Sequence, residues 1–218
     1  CKFFVKPLTE HRLALVMRGE QLCGPIPDTD PGTAREGEPV IDPSAICEPK
    51  AKRTARLLWN FLIYVNRVWK DHPVNIARIK RGEPPANFIL CRGSGKAMVV
   101  PPFTEAYPGV RAACIAGDLT ITGIAKMCGM DGFTRESFTG GFDTDYMGKA
   151  ELALQLIDQY DFVIVHVKAT DLCGHDNLPG KKAKIIENIN AMFGYWLDHI
   201  NPSMTYLSMT ADHSTPCH

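Results

Sequence analysis

A strand, a helix and a second strand are expected in succession between residues 160 and 211, and this order narrows the fold most. Phe162 to Val167 is apolar, rich in β-branched and aromatic residues, and too short for a typical helix, so it reads as a buried strand. From Lys181 to His199, Ile185, Ile186, Ile189, Met192, Phe193, Trp196 and Leu197 share one helical face. Met204 to Ala211 reads as the next strand. A strand, crossover helix and strand in this order imply parallel neighbours joined by a right-handed connection.

The same rhythm holds upstream, from about Met98. Val110 to Ala116 is a predicted strand, Asp118 a predicted cap for a helix ending near Cys128 and Gly129, and Asp145 to about Gln159 another helix behind the glycine-rich loop 139–143. Repeated βα units predict an α/β fold with a mostly parallel sheet flanked by helices.

In such sheets ligands bind beyond the carboxyl ends of the strands, and two polar motifs are expected there. Asp171, His175 and Asp176 follow the first strand, in a predicted loop; Asp212 and His213 follow the second. A carboxylate with an imidazole suits zinc, manganese or iron better than calcium. Taken alone, each pair also fits a capping aspartate beside a hydrogen-bonding histidine. Their recurrence after consecutive strands favours two metal sites facing each other, about 3.5 to 4 Å apart as in two-metal enzymes.

The first half reads differently. Leu13 to Met17 is a predicted strand, the stretch from Cys23 to about Pro49 is mostly loop, and Ala51, Ala55, Leu58, Leu62, Val65 and Trp69 mark one face of a helix over Lys50 to Lys70. Asp28-Thr-Asp-Pro31 fits an Asx-type turn. Pro84 to Cys91 reads as strand-like and runs into a loop holding Arg92 and Lys96, where an ordinary turn and an anion site fit equally; the P-loop pattern is absent. A domain boundary is expected nearby, dividing residues 1–93 from 94–218.

Composition excludes some classes. Lys plus Arg and Asp plus Glu number 24 each, so no net field favours nucleic acid. No apolar run approaches the roughly 20 residues of a membrane span, and the start lacks signal-peptide architecture. The eight cysteines are scattered without a C-x-x-C pair, which predicts reduced thiols in a cytoplasmic protein. A chain that begins at Cys1 and stops at His218 soon after a polar motif is expected to be a fragment or a processed product.

Val165-His-Val-Lys-Ala-Thr-Asp171-x-x-Gly-His-Asp176, followed by Ala211-Asp-His-Ser-Thr-Pro-Cys217, closely resembles the cofactor-independent phosphoglycerate mutases of archaeal type, in the alkaline phosphatase superfamily. His11-Arg12 with Leu15-Val-Met-Arg-Gly19, Asp28-Thr-Asp-Pro31, Pro73-Val-Asn75, Pro85-Ala-Asn87 with Arg92-Gly93, and Thr139-Gly-x-x-Asp-Thr144 carry the likeness along the whole chain. By that resemblance, Asp171 and His175 hold one divalent metal and Asp212 and His213 another, with manganese or magnesium expected and zinc as a further option. The implied reaction interconverts 3- and 2-phosphoglycerate through a phosphoserine. Residues 1–93 match most of an inserted α+β domain that clamps substrate, with Arg18, Asp28, Arg92, His11 and Arg78 at its polar positions. A guanidinium fork suits phosphate and carboxylate alike.

The chain departs from the family pattern at both ends. The nucleophilic serine and an aspartate ligand are expected upstream of Cys1, and a further histidine ligand after the Asp-His-Ser-Thr-Pro-Cys segment, a role not transferred to His218. Neither Ser94 nor Ser214 matches the nucleophile. The resemblance implies a small phosphorylated substrate, with no nucleic-acid or membrane partner, and leaves the oligomeric state open. Another metal-dependent phosphohydrolase or phosphotransferase, or a noncatalytic binding domain, are the competing readings.

Overall fold

The structure, a computed structural model, describes residues 1–8 and 11–217. The chain forms two compact units: Cys1–Lys6 with Ala14–Met98, and Pro7–Leu13 with Val99–His218.

β1 (Lys2–Pro7) and β2 (Leu13–Arg18), in the first unit except for Pro7 and Leu13, form a two-stranded sheet, followed by the expected long loop. Asp42 caps the short helix α1 (Pro43–Ile46), its carboxylate accepting from the Ser44 amide. Helix α2 (Lys52–Lys70) buries Ala55, Leu58, Leu62 and Val65, so the face read from the spacing is the packed one. Phe3 of β1 stacks on Phe61, with ring centroids 4.4 Å apart. Helix α3 (Pro73–Lys80) starts at a proline, whose missing N–H costs nothing in the first turn. Its buried Asn75 donates to the Trp69 and Ala86 carbonyls and accepts from the Ala86 amide, pinning the chain that follows.

That segment corrects one expectation: Pro84 to Cys91 is not a strand. Its pairing with Thr29 is half side chain, since the Thr29 amide donates to the Cys91 carbonyl while the Cys91 amide donates to the Thr29 hydroxyl. A ladder needs backbone on both sides.

In the second unit, α4 (Phe103–Ala106) precedes β3 (Ala112–Ile115), α5 (Leu119–Met127), β4 (Asp131–Phe133), α6 (Tyr146–Leu156), β5 (Phe162–Val165), α7 (Ala169–His175) and α8 (Pro179–His199). The three strands are parallel in the order β4-β3-β5, with Ala113 level with both Asp131 and Val163. Central β3 is buried on both faces. Ala113 and Ile115 face a core with Phe138, Leu156, Met192 and Trp196, while Ala112 and Cys114 face Ala125 and Met130. Helices α6 and α8 therefore cover one face and α5 the other, a three-layer α/β arrangement. The Trp196 indole donates to the Ala150 carbonyl and ties α8 to α6. Asp118 caps α5 through the Thr120 amide, and Gly129 ends it at a φ of +71° that favours glycine.

Two further expectations are corrected. Met204 to Ala211 forms no strand: Met204, Tyr206 and Met209 are exposed, and no described strand pairs with the segment. Alternating apolar side chains make a strand only where a neighbour supplies the ladder. The polar stretch after β5, read as a loop, is helix α7. No helix among the described residues is long and apolar enough to cross a membrane.

A candidate metal centre

Strand β5 ends at Val165, and the His166 amide extends its pairing by donating to the Ile115 carbonyl. The chain then turns into α7, which carries Asp171 in its first turn and His175 in its last. Residues four apart share a helix face, and Asp171 Oδ1 lies 3.5 Å from His175 Nε2. Beyond α8, Asp212 Oδ2 lies 3.2 Å from His213 Nε2.

Thr215 brings the two pairs together. Its hydroxyl lies 2.6 Å from Asp171 Oδ1 and 3.2 Å from His213 Nδ1. The segment around Thr215 is docked on α7 and α8. Lys182 Nζ donates to the Thr215 carbonyl at 2.5 Å, and the Cys217 thiol to the Cys173 carbonyl. Gly174 leaves room for it: a Cβ there would overlap the Thr215 carbonyl oxygen. The parallel strand pair expected to align the two motifs is thus replaced by a docked irregular segment.

Asp171 accepts a hydrogen bond on each carboxylate oxygen. Lys168 Nζ lies 2.5 Å from Oδ2 and Thr215 holds Oδ1, and together, Lys168 first, they hold the carboxyl down at about 2. The side chains of His175, Asp212 and His213 are open to solvent.

Behind the site, Lys149 of α6 is 1% exposed. Its ammonium donates to the His166 carbonyl at 3.2 Å and lies 5.8 Å from the centre of the Phe138 ring. Burial pushes it down to about 8, partly opposed by Asp145. His166 Nδ1 is buried without a hydrogen-bond partner. Burial holds the His166 ring below its ordinary value, while Asp118 and Asp212 act in the opposite sense.

The donor set fits a divalent ion. Ligands about 2.1 Å from one centre stand about 3.0 to 3.4 Å apart in octahedral or tetrahedral geometry. The pairs measure 3.2 and 3.5 Å. Among the described residues no three His, Cys, Asp or Glu side chains gather closely enough to hold a metal.

The first unit's expected substrate residues are more dispersed. Asp28 accepts from the Gly93 amide, which sets it beside Arg92, and Arg92 is exposed. Arg18 lies over the Phe4 ring. Arg78 is engaged by the Pro84 carbonyl and Glu83. His11 is exposed and belongs to the other unit. Ser94 is engaged locally, its hydroxyl donating to the Ile26 carbonyl and accepting from the Ile26 amide. All eight cysteines are free thiols, and His218 lies outside the described residues.

Sequence reasoning passed over Lys149, Lys168, Lys182 and Thr215. Only Lys149 carried a readable signal: it shares a helical face with Ala153 and Leu156, both apolar.

The metalloenzyme superfamily model matches residues 55–218, and the 2,3-bisphosphoglycerate-independent phosphoglycerate mutase model matches residues 1–75. The 2,3-bisphosphoglycerate-independent phosphoglycerate mutase of Methanopyrus kandleri is 42% identical over 217 residues, covering 99% of this chain and 51% of the relative. That of Pyrococcus horikoshii is 39% identical, covering 99% and 52%. Among solved structures, the cofactor-independent phosphoglycerate mutase of Thermoplasma acidophilum matches with a TM-score of 0.56 and 35% identity, covering 91% of this chain and 49% of that one. A Pyrococcus horikoshii protein matches with a TM-score of 0.71 and 40% identity, over 78% and 44%. The chain spans about half the length of the relatives it matches. It belongs to the metalloenzyme superfamily and, along almost its whole length, is a relative of the archaeal 2,3-bisphosphoglycerate-independent phosphoglycerate mutases.

Proposed function

We propose that the full-length protein interconverts 3-phosphoglycerate and 2-phosphoglycerate through a phosphoserine, a step of glycolysis and gluconeogenesis, in the cytoplasm. The observation that carries this reading is the joining of Asp171–His175 and Asp212–His213 through Thr215 in a chain 42% identical to a phosphoglycerate mutase.

Asp171 and His175 would hold one divalent ion and Asp212 and His213 the other, with manganese or magnesium first and zinc third. Such a pair supplies Lewis-acid stabilisation of charge on the transferred group. The chain's own residues prepare for this. Asp171 stays ionised throughout the physiological range because Lys168 and Thr215 both donate to it. His175 and His213 expose their rings to solvent, within reach of an incoming ion.

The first unit would hold the substrate's anionic ends. Arg92, adjacent in sequence to the Gly93 amide that Asp28 accepts from, and Arg18 present guanidinium groups from exposed positions; His11, which belongs to the other unit, is also exposed. Arg78 is tied to Glu83 and the Pro84 carbonyl, so it is the weakest of the five for direct contact. The serine that carries the phosphoryl group is assigned to no residue of these 218. Replacing Arg92 with Met in full-length protein is expected to raise KM for phosphoglycerate at least about tenfold, the scale of a lost charge-assisted bidentate contact. Metal affinity should stay unchanged, and an unaltered KM would remove Arg92 from the substrate site.

A further inference from the structure

We propose that Thr215 is a positioning residue that couples the two metal half-sites and fixes the tautomer of His213; the inference rests on the two-metal reading above.

Proton positions set the direction of each contact. A carboxylate only accepts, so the 2.6 Å contact makes the Thr215 hydroxyl the donor to Asp171 Oδ1. A backbone carbonyl also only accepts, and the Ser214 carbonyl lies 3.3 Å from His213 Nδ1. Nδ1 therefore carries the ring proton and shares it between that carbonyl and the Thr215 oxygen, 3.2 Å away. The result is a directed chain, from His213 Nδ1–H to Thr215 Oγ1–H to Asp171 Oδ1.

With Nδ1 engaged in this way, Nε2 is the His213 nitrogen left for a metal ion. Nε2 faces Asp212 Oδ2 at 3.2 Å, a contact that a ring proton or a bound cation would bridge. Asp171 keeps unused lone pairs after accepting from Thr215, because each carboxylate oxygen has more than one. A hydrogen bond to the far nitrogen of a ligating histidine sets ring orientation and ligand basicity, and here the same hydroxyl serves a ligand of each half-site.

The placement of Thr215 is held independently of its hydroxyl. Lys182 holds its carbonyl, and Gly174 provides the only kind of surface, one without a Cβ, that lets the backbone approach α7 so closely. Removing the hydroxyl therefore tests the coupling rather than the docking.

The experiment uses full-length protein stripped of metal, with Mn2+ titrated calorimetrically into wild type, Thr215→Val and Thr215→Ser. Thr215→Val keeps the shape and loses the hydroxyl; it should weaken Mn2+ binding about 10- to 100-fold, the usual effect of removing such a supporting contact. Thr215→Ser should restore affinity to within about threefold, a tolerance set by the factor-of-ten scale of one hydrogen bond. Wild-type affinity in the valine variant, or a serine variant as weak as valine, overturns the proposal. In metal-free wild type, nitrogen-15 shifts of the His213 ring should show Nδ1 protonated, and an unprotonated Nδ1 overturns the proposal without recourse to any variant. A wild-type protein that takes up no Mn2+ while its His213 proton sits on Nδ1 overturns the two-metal reading instead.

Discussion

Lys149 places an ammonium among Phe138 and the β5 backbone with one neutral carbonyl as its hydrogen-bond partner. Burial lowers its pKa from 10.5 to about 8. The sign of the linkage follows: between about pH 8 and 10.5 the unfolded chain holds this proton and the folded chain has released it, so stability rises with pH across that window. Lys149→Met should be more stable than wild type at pH 7.5 by about 1 to 2 kcal/mol, the range for replacing a poorly compensated buried charge. The difference should shrink by pH 10.5, and denaturant unfolding at the two pH values measures it. Asp171 titrates in the opposite sense. Its carboxyl is held at about 2, so it contributes stability above its ordinary 3.8 that is lost as pH falls towards 2. Carbon-13 titration of Lys168→Met should show that carboxyl moving up towards its ordinary value, since the Lys168 ammonium is the main cause of the shift.

Elements stabilised by their own residues were legible in the sequence. The α2 face, the Asp118 cap, the Gly129 stop and the helix α8, though not its expected crossover to a further strand, follow from periodicity and capping chemistry within one segment. Elements that depend on a distant partner were not. Met204 to Ala211 has a strand's pattern without a described neighbour, and Pro84 to Cys91 finds a threonine hydroxyl where a ladder would need an amide. The candidate site divides in the same way. Asp171 and His175 were readable as a carboxylate and an imidazole closely following a strand, while the helix that sets them on one face was read as a loop. Their link to His213 was not readable, because it runs through a docked segment that Gly174 and Lys182 hold. Gly174→Ala tests this link: the added Cβ should undock residues 213–217 and speed their amide exchange at least about tenfold, a local opening of the kind seen at weakly held segments. Exchange in β3 should not change, and protected 213–217 amides in the variant would contradict the docking.

At the scale of the molecule, β5 leads into the helix that carries Asp171 and His175, a docked segment brings His213 to them, and the first unit carries the arginines and Asp28. The family likeness supplied what no local pattern contained: a reaction, and a substrate with anionic groups for the arginines to hold. The proposed function depends above all on Asp171, His175, Asp212 and His213 binding the divalent ions of the mutase reaction. The most direct test follows conversion of 3-phosphoglycerate to 2-phosphoglycerate by the full-length protein without added 2,3-bisphosphoglycerate, after chelation and again after Mn2+ is restored. Turnover should vanish on chelation and return with Mn2+, and His175→Ala or Asp212→Asn should lower the restored rate at least about 100-fold, the upper range for disturbing a metal site. Turnover that survives chelation, or either variant working at the wild-type rate, would contradict the metal assignment.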